Sequence, residues 1–522
     1  MRSTVRLVEV LGSLSLAADA ADGFPAETTM RSAVLAAGLA QRVGHPAVGD
    51  VLIGGLLRHI GCTGFAAEEA HVYGAGDDVA LRAVMAEVDF GQPERAVRHV
   101  TENLAREAPP AERAAAVQAL LGGGGAAGVL HDAAQCDAGE RLAALIPVDS
   151  AARAVATDAF ERWDGRGGPQ GKQGDEISSV ARLVEVGYVA ELFRCRQGRG
   201  GAIAEVRQRS GGQLDPTFAG AFLDHPGELF DLNEDPHVSV WEALCGAEPE
   251  PWAQLSPSHL DAVALAFARF TDLKSVFFTG HSEAVADLAA QAAAVVGLDA
   301  DAVTDIRRAG LLHDIGRVAI PTGTWDRPRA LSGPERDRVR FHAWETQRIL
   351  TSTPLLASLA TLAGAAHERV DGSGYHRGLT ADHLDVGARL IAAADVATAL
   401  REARPHRPEM SEHDAHEVLR AEVVEGRLDH AAVSAVLAVR GAPALAPPSW
   451  PSRLTDREVD VLRAVAAGGS NKDVAQALGI TAKTVAHHVA HIYDKTGCRS
   501  RAGLTLFALE HQLAGARSPR ER

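Results

Sequence analysis

Cysteine is scarce in this chain. The five thiols, Cys62, Cys136, Cys195, Cys245 and Cys498, are odd in number, spread over 522 residues and nowhere arranged as Cys-x-x-Cys. This excludes a disulfide framework and a zinc ribbon, and it fits a reducing compartment. Aromatic residues reach only 5% and β-branched runs are few, so a β-sandwich or barrel has little to build its core from. No window approaches the roughly 18 uncharged apolar residues of a membrane-spanning helix. Arg2 and Arg6 precede an apolar stretch, but Glu9 interrupts it and Asp19 and Asp22 follow. The start therefore reads as a first helix rather than a signal peptide, and the expected location is cytoplasmic, with no membrane partner.

Apolar residues make up 46% and charged residues 23%, the balance of folded protein and not of a disordered chain. At about 100–200 residues per domain, the length predicts three or four folded units. Alanine, leucine and valine dominate, so the expectation is an all-α protein packed through small and aliphatic side chains. Charge is uneven. Residues 450–522 carry eleven Lys and Arg against seven Asp and Glu, a net +4, which leaves −20 for the rest of a chain whose total is −16. An acidic body with a basic tail points to nucleic acid as a partner of the tail alone.

Two breaks divide the chain. One is the Pro-, Gly- and acid-rich stretch around 224–257, with His225-Pro226-Gly227, Asp235-Pro236 and Glu248-Pro249-Glu250-Pro251; the other is the uncharged run Gly441-Ala442-Pro443-Ala444-Leu445-Ala446-Pro447-Pro448. The predicted units are 1–235, 255–440, a Pro-rich linker at 441–452, and 453–515. The run Gly122 to Gly125 reads as a flexible loop inside the first unit. The first two units repeat one another. Asp164-Gly165-Arg166-Gly167-Gly168 followed by Ala181-Arg182-Leu183 matches Asp371-Gly372-Ser373-Gly374-Tyr375 followed by Ala388-Arg389-Leu390 at a constant offset of 207. Leu56-Leu57-Arg58-His59-Ile60-Gly61 matches Leu311-Leu312-His313-Asp314-Ile315-Gly316 at 255, with an insertion absorbing the difference. Both units are expected to be copies of one fold.

His313 and Asp314 lie in an apolar helical stretch, where adjacent ionisable side chains are costly unless something satisfies them. A hydrogen-bonded His–Asp pair would suffice for two residues alone, but there are more. His281 opens an amphipathic helix and His342 begins another. His367-Glu368 precedes the glycine-rich Asp371 to Tyr375, and Asp395 sits in Leu390-Ile391-Ala392-Ala393-Ala394-Asp395. Imidazoles and carboxylates from separate helices are what a bundle uses to hold divalent cations.

These motifs resemble the HD superfamily of metal-dependent phosphohydrolases. Ile320-Pro321, His342 and His367-Glu368-x-x-Asp371-Gly372-x-Gly374-Tyr375 narrow the likeness to its HD-GYP branch over about 275–405. The resemblance implies hydrolysis of cyclic di-GMP or a related cyclic dinucleotide or other phosphoester. It implies His281, His313, Asp314, His342, His367 and Asp395 as ligands of one or two divalent ions of the Fe, Mn or Zn class, with Asp314 bridging. It also implies catalytic roles for Asp314, Arg317 and Tyr375. Four positions depart from the pattern: Arg317 replaces the usual lysine, Ala366 the first histidine of a His-His pair, Phe277 a glutamate that serves a third metal in some members, and His376 the proline of Gly-Tyr-Pro. A trinuclear site is thereby excluded. Two readings stay open, a phosphodiesterase and a nucleotide or metal sensor without turnover.

Aligned with the second unit, the first has Met30, Arg58, His59, Phe160 and Tyr188 opposite His281, His313, Asp314, His367 and Asp395, with Gln135 near the His342 position. No ligand survives in register, so the first unit is expected to be a structural or sensory pseudo-domain. His131-Asp132 is expected to be a loop or cap pair.

In the tail, Thr455 and Glu458 form a capping-box pair that starts a helix with Val459, Val461, Leu462, Val465 and Ala466 on one face. Gly468-Gly469-Ser470 ends it, and 471–478, a Gly479-containing turn, 482–495 and 500–513 follow as a short helix, a turn, a longer helix and a fourth helix. The pattern Leu454-Thr455-x-Arg457-Glu458, Ser470-Asn471-Lys472, Leu478-Gly479-Ile480, Lys483-Thr484-Val485 and His488-Val489 resembles the LuxR/FixJ-type DNA-binding domain. That likeness implies double-stranded DNA as partner, with Lys483, Thr484, His487 and His488 facing bases and Asn471, Lys472, Lys495, Arg499 and Arg501 holding phosphates. It also implies a homodimer paired through the fourth helix. Ala486 stands where many members carry a longer polar side chain. The whole chain is thus expected to be tandem HD-type helical bundles, the first degenerate, followed by a four-helix LuxR-type helix-turn-helix.

Overall fold

The computed structural model describes residues 5–73, 76–122, 124–443, 445, 450–511 and 513. Residues 444 and 446–449 of the proposed linker fall outside them. Among the described residues the architecture is all-α; the single sheet is a two-stranded antiparallel pairing of Val5–Arg6 with Gln254–Leu255.

The repeat is visible helix by helix. In the first copy Leu7–Ala21, Thr28–Arg42, Val48–Leu57, Gly124–Ala143, Ser150–Asp158 and Ser179–Arg209 follow one another. Their counterparts are Pro257–Asp272, His281–Val295, Ala300–Leu312, Gly333–Leu350, Pro354–Ala363 and Val386–Leu400. Close approaches fix the register. A Cβ on Gly55 would strike Ala33, and one on Gly310 would strike Ala286; Gly61 lies against the Gln135 carbonyl as Gly316 lies against that of His342. Buried carboxylates repeat too. Asp19 accepts from the Thr29 N–H and hydroxyl at 2.9 and 2.6 Å, and Asp272 accepts from Ser282 at 3.0 and 2.6 Å. This pairing of Thr29 with Ser282 puts Thr28, not Met30, opposite His281. The register expected from the sequence is two residues off here because the connection between the Thr28 and Val48 helices differs in length from its counterpart.

Three further expectations change. His342 lies within the helix Gly333–Leu350 instead of beginning one. Gly122 ends the helix Pro110–Gly122, and Gly124 begins Gly124–Ala143, so the glycine run marks a helix junction and not a long loop. His131-Asp132 lies within that second helix instead of a loop; the His131 ring pairs with Glu69 at 3.1 Å and Asp132 at 2.9 Å.

The two copies share one apolar core. Leu7, Leu11, Leu14 and Leu56 from the first and Phe267, Leu311, Ile349 and Ile391 from the second belong to the same buried cluster. Polar contacts cross the junction as well. Ser13 donates to the Ile349 carbonyl at 2.5 Å, Thr63 donates to that of Phe270 at 2.7 Å, and Lys274 pairs with Asp78 at 2.6 Å with both side chains fully buried. A buried ion pair leaves an uncompensated charge if either partner is removed, so its value lies in holding one specific docking geometry. The tail has a core of its own, with Leu454, Leu462, Val485, Ile492 and Leu504 at its centre. Arg463 on its first helix, Asp456–Ala466, reaches the Val424 carbonyl of the preceding unit at 3.2 Å.

Candidate metal centre and DNA-binding face

Asp314 is fully buried between four imidazoles. Its Oδ2 lies 2.9 Å from His313 Nε2 and 3.6 Å from His281 Nε2, while Oδ1 lies 3.0 Å from His367 Nε2 and 3.3 Å from His342 Nε2. Asp395 closes the ring, 3.2 Å from His281 Nε2 and 3.5 Å from His367 Nδ1. The six predicted ligand residues therefore converge from five separate chain segments. Two triads could each hold a cation, His281 with His313 and Asp395, and His313 with Asp314 and His367. The donor set fits: Nε2 of His281 and Nε2 of His313 are buried with no aligned hydrogen-bond partner. Unpaired buried polar atoms of this kind are costly unless an ion or water completes them.

Electrostatics point the same way. Burial alone would raise the Asp314 carboxyl, but Arg317 and the surrounding imidazoles hold it well below the usual carboxylate range. Burial opposes charging His281, yet the carboxylates of Asp314, Asp395 and Glu402 around it hold it up at about 10, and those of Asp314 and Asp395 hold His313 up at about 9. His342, with less help from Asp314, is pushed down by burial to about 4. Two carboxylates thus attract more positive charge than Arg317 alone supplies.

Arg317 brings Nη2 to 2.6 Å from Asp314 Oδ2, and its guanidinium lies over the Phe278 ring at 4.5 Å. Its Nε and Nη1 are buried without partners, donors available to an anion. Tyr375 stacks on His367 with ring centres 5.3 Å apart and planes within 10°. Ala366, by contrast, is fully buried in the main apolar core. In the first copy a guanidinium occupies the equivalent space. Arg58 pairs with Glu185 at 2.8 Å and lies 3.6 Å over the Tyr188 ring, with His59 bonded to Asp22 at 2.6 Å.

In the tail, Thr455 caps the first helix and exchanges bonds with Glu458, as expected. Asn471–Ala477 and Ala482–Thr496 follow, then Arg501–Glu510. Lys483 and His487 are exposed, Thr484 and His488 half-buried, and all four lie on the longer helix. The phosphate candidates divide. Lys472 and Arg499 are exposed, whereas Lys495 pairs with Glu458 at 2.5 Å and Arg501 bonds Asn471 and the Gly469 carbonyl. Asn471, Lys495 and Arg501 therefore already have partners within the domain, Lys495 from an exposed position.

Comparison with known families matches residues 266–432 to the HD domain and 452–508 to the luxR family of bacterial regulatory proteins. The chain joins an HD domain to a luxR-family regulatory domain. It is 28% identical over 418 residues to a 3′3′-cGAMP-specific phosphodiesterase 3 of Vibrio cholerae, covering 78% of this chain and 89% of that one. Phosphodiesterase 1 of the same specificity from that organism is 35% identical over 176 residues, 34% of this chain and 41% of its own length. A Thermotoga maritima cyclic di-GMP phosphodiesterase is 35% identical over 129 residues, covering 24% of this chain and 35% of that relative. A crystal structure of a Vibrio cholerae cyclic GMP-AMP-specific phosphodiesterase superposes with TM-score 0.57 at 22% identity over 86% of this chain and all of that one, a likeness of fold.

Around the HD domain's centre, sequence reasoning missed Glu402, whose carboxylate meets His281 Nδ1 at 2.9 Å, and Arg404, which holds Glu402 at 2.7 Å. Neither lies in a recognisable spacing. The Arg-rich stretch Arg401 to Arg407 so close behind Asp395 was the available signal. The role of Glu368 beside His367 was also missed; it is 1% exposed and ties the Tyr375 loop by its backbone.

Proposed function

We propose that this protein is a metal-dependent phosphodiesterase acting on cyclic dinucleotides, coupled in one chain to DNA-binding transcriptional regulation. The observation that carries the reading is the convergence on buried Asp314 of four imidazoles, Asp395 and Arg317, with coordinating atoms left unpartnered. His281, His313, Asp314, His342, His367 and Asp395 would hold one or two divalent ions of the Fe, Mn or Zn class. Such ions supply Lewis acidity and an activated water at neutral pH. The chain's own groups do the rest: Arg317 offers two buried N–H donors to a phosphate, Tyr375 walls the His367 side, and the apolar surroundings exclude bulk water. The relatives' named substrates support 3′3′-cGAMP and cyclic di-GMP as the first compounds to assay. Coupling to the tail is supported by Arg463, which meets the Val424 carbonyl, next to the segment whose Arg427 carbonyl accepts from Val370 at the base of the Tyr375 loop. The luxR-type domain binds double-stranded DNA in this reading, as a homodimer paired through its fourth helix.

The test is turnover of both dinucleotides by protein loaded in turn with Mn(II), Fe(II) and Zn(II), read by product chromatography, beside Asp314→Ala. Hydrolysis by the wild type and its loss together with bound metal in the variant are expected. Metal binding without hydrolysis of either compound would favour the second reading, a sensor, which draws on Arg317 already occupying Asp314 Oδ2.

A further inference from the structure

A metal-binding imidazole needs its second ring nitrogen held, because that bond fixes tautomer and ring orientation. His313 and His342 meet this need locally. Nδ1 of each faces the carbonyl three residues earlier on its own helix, Gly310 at 2.7 Å and Val339 at 2.5 Å. His281 has no such partner. It is the first residue of its helix, preceded by Gly280 at φ +77, and a first residue has no helical carbonyl behind it. Its ring is nonetheless fully buried. The missing acceptor arrives from 121 residues away, as Glu402 Oε2 at 2.9 Å and Oε1 at 3.2 Å from Nδ1.

Glu402 is itself braced. Arg404 donates Nη2 to Glu402 Oε2 at 2.7 Å and Nη1 to the Phe277 carbonyl at 2.7 Å. The clamp thus joins the chain just beyond Val386–Leu400, the helix that carries Asp395, to the turn that leads into His281. Both ends of one triad, His281 and Asp395, are set by the same few residues.

We propose that Glu402, braced by Arg404, is the positioning residue of this centre: it takes the Nδ1 proton of His281 as a hydrogen bond and so leaves Nε2 directed at the metal. The assignment rests on the metal-centre reading above. Glu402 touches neither substrate nor ion in this role, and acts only through His281.

The experiment titrates chelator-stripped full-length protein with Mn(II) alone, free Mn(II) being read by electron paramagnetic resonance, for wild type, Glu402→Gln, Glu402→Ala and Asp314→Ala. Glu402→Ala should weaken Mn(II) binding by about 10- to 100-fold, the range for removal of an outer-shell partner. Glu402→Gln keeps an acceptor oxygen without the charge and should fall between the two. In Zn(II)-loaded protein, nitrogen-15 spectra of the His281 ring should show a strongly hydrogen-bonded Nδ1 proton that moves upfield in Glu402→Gln. A merely structural role for Glu402 predicts neither that ordering nor that shift. Affinity within twofold of wild type in Glu402→Ala, with Asp314→Ala losing Mn(II), overturns the positioning role and leaves the metal centre standing. Retention of wild-type Mn(II) binding by Asp314→Ala overturns both. Should Glu402→Ala not fold, an unshifted His281 resonance in Glu402→Gln overturns the proposal.

Discussion

Glu161 and Glu368, 207 positions apart, hold their loops in the same way. Each carboxylate accepts from the backbone N–H groups nine and eleven residues later: Gln170 and Lys172 bond Glu161 at 2.8 Å each, and Arg377 and Leu379 bond Glu368 at 2.8 and 2.9 Å. The glycines of the two loops are equally constrained, since a Cβ on Gly167 or Gly374 would fall within 2.5 Å of backbone atoms of the segment opposite. In the first copy no group of possible metal ligands lies at the loop among the described residues. In the second it carries Tyr375 onto His367.

Glu368→Ala should therefore release the 369–380 loop. Hydrogen bonds to a charged group contribute about 1.5–3 kcal/mol each, so a loss of a few kcal/mol of local stability is expected. Hydrogen exchange should accelerate across 369–380, and KM for a cyclic dinucleotide should rise while bound metal stays at the wild-type level. Glu161→Ala should loosen its own loop and leave KM unchanged. Loss of metal from the Glu368 variant would show that this carboxylate supports the centre and not the loop.

What the sequence disclosed and what it hid divide along physical lines. The ligand residues were legible because charged and imidazole side chains stand out against an apolar helical pattern, and the Asp-Gly-x-Gly loops were legible because their backbone shape demands glycine. The shared core was not, because Leu11 and Leu14 read the same whether they pack within one unit or against Ile349 of another. Glu402 and the Lys274–Asp78 pair were hidden for a related reason: a lone charged residue carries no periodicity, and only the fold reveals its partner. The Thr28 register slipped because loop length, not pattern, set it.

Ala366 and Arg317 give the second prediction. The position where the HD-GYP resemblance would place a further histidine is filled here by a fully buried alanine within the main core. Ala366→His should overpack that core at a cost of about 1–3 kcal/mol, read as a fall in Tm, with no gain in turnover. Arg317 is stacked on Phe278 and brings Nη2 alone to Asp314 while Nε and Nη1 stay free, a geometry an ammonium does not reproduce. Arg317→Lys should raise KM about tenfold, ~1.4 kcal/mol, with metal retained. Steady-state kinetics on metal-matched preparations check both, and an activity gain from Ala366→His would refute the packing argument.

Asp19 sets a pH dependence of stability. Burial raises its carboxyl to about 7, against a smaller opposing effect of the Thr29 hydrogen bonds, from an ordinary value of 3.8. The folded state thus holds a proton that the unfolded chain releases above pH 3.8. The stabilising share of this group is complete below that pH and is lost as pH rises toward 7, at no more than about 1.4 kcal/mol per pH unit. Asp19→Asn, which stays neutral, should flatten the stability curve between roughly pH 4 and 7. Urea midpoints of wild type and variant across that window provide the measurement; parallel curves would contradict the burial argument.

The tail gives the last prediction. Its net +4 is attached to a body of −20, whose field opposes approach to DNA within a Debye length of about 8 Å at physiological salt. The segment has its own buried core, so isolated 450–522 should bind duplex DNA at least as tightly as the whole chain, most clearly at low salt. The lysines then separate by their surroundings. Lys472 and Lys483 are exposed, and replacing either with alanine should lower the salt slope by about one unit for the phosphate it would otherwise neutralise; Lys483→Ala and His487→Ala should also change sequence preference if their side chains reach base edges. Lys495 is different, because it is bound to Glu458 and to the Arg453 carbonyl. Lys495→Ala should lower the Tm of the tail and leave the salt slope close to that of wild type. Titrations against cognate and scrambled duplexes at several salt concentrations decide between these outcomes. A slope reduced by a full unit in Lys495→Ala at unchanged Tm would mean that this lysine leaves Glu458 for a phosphate when DNA binds.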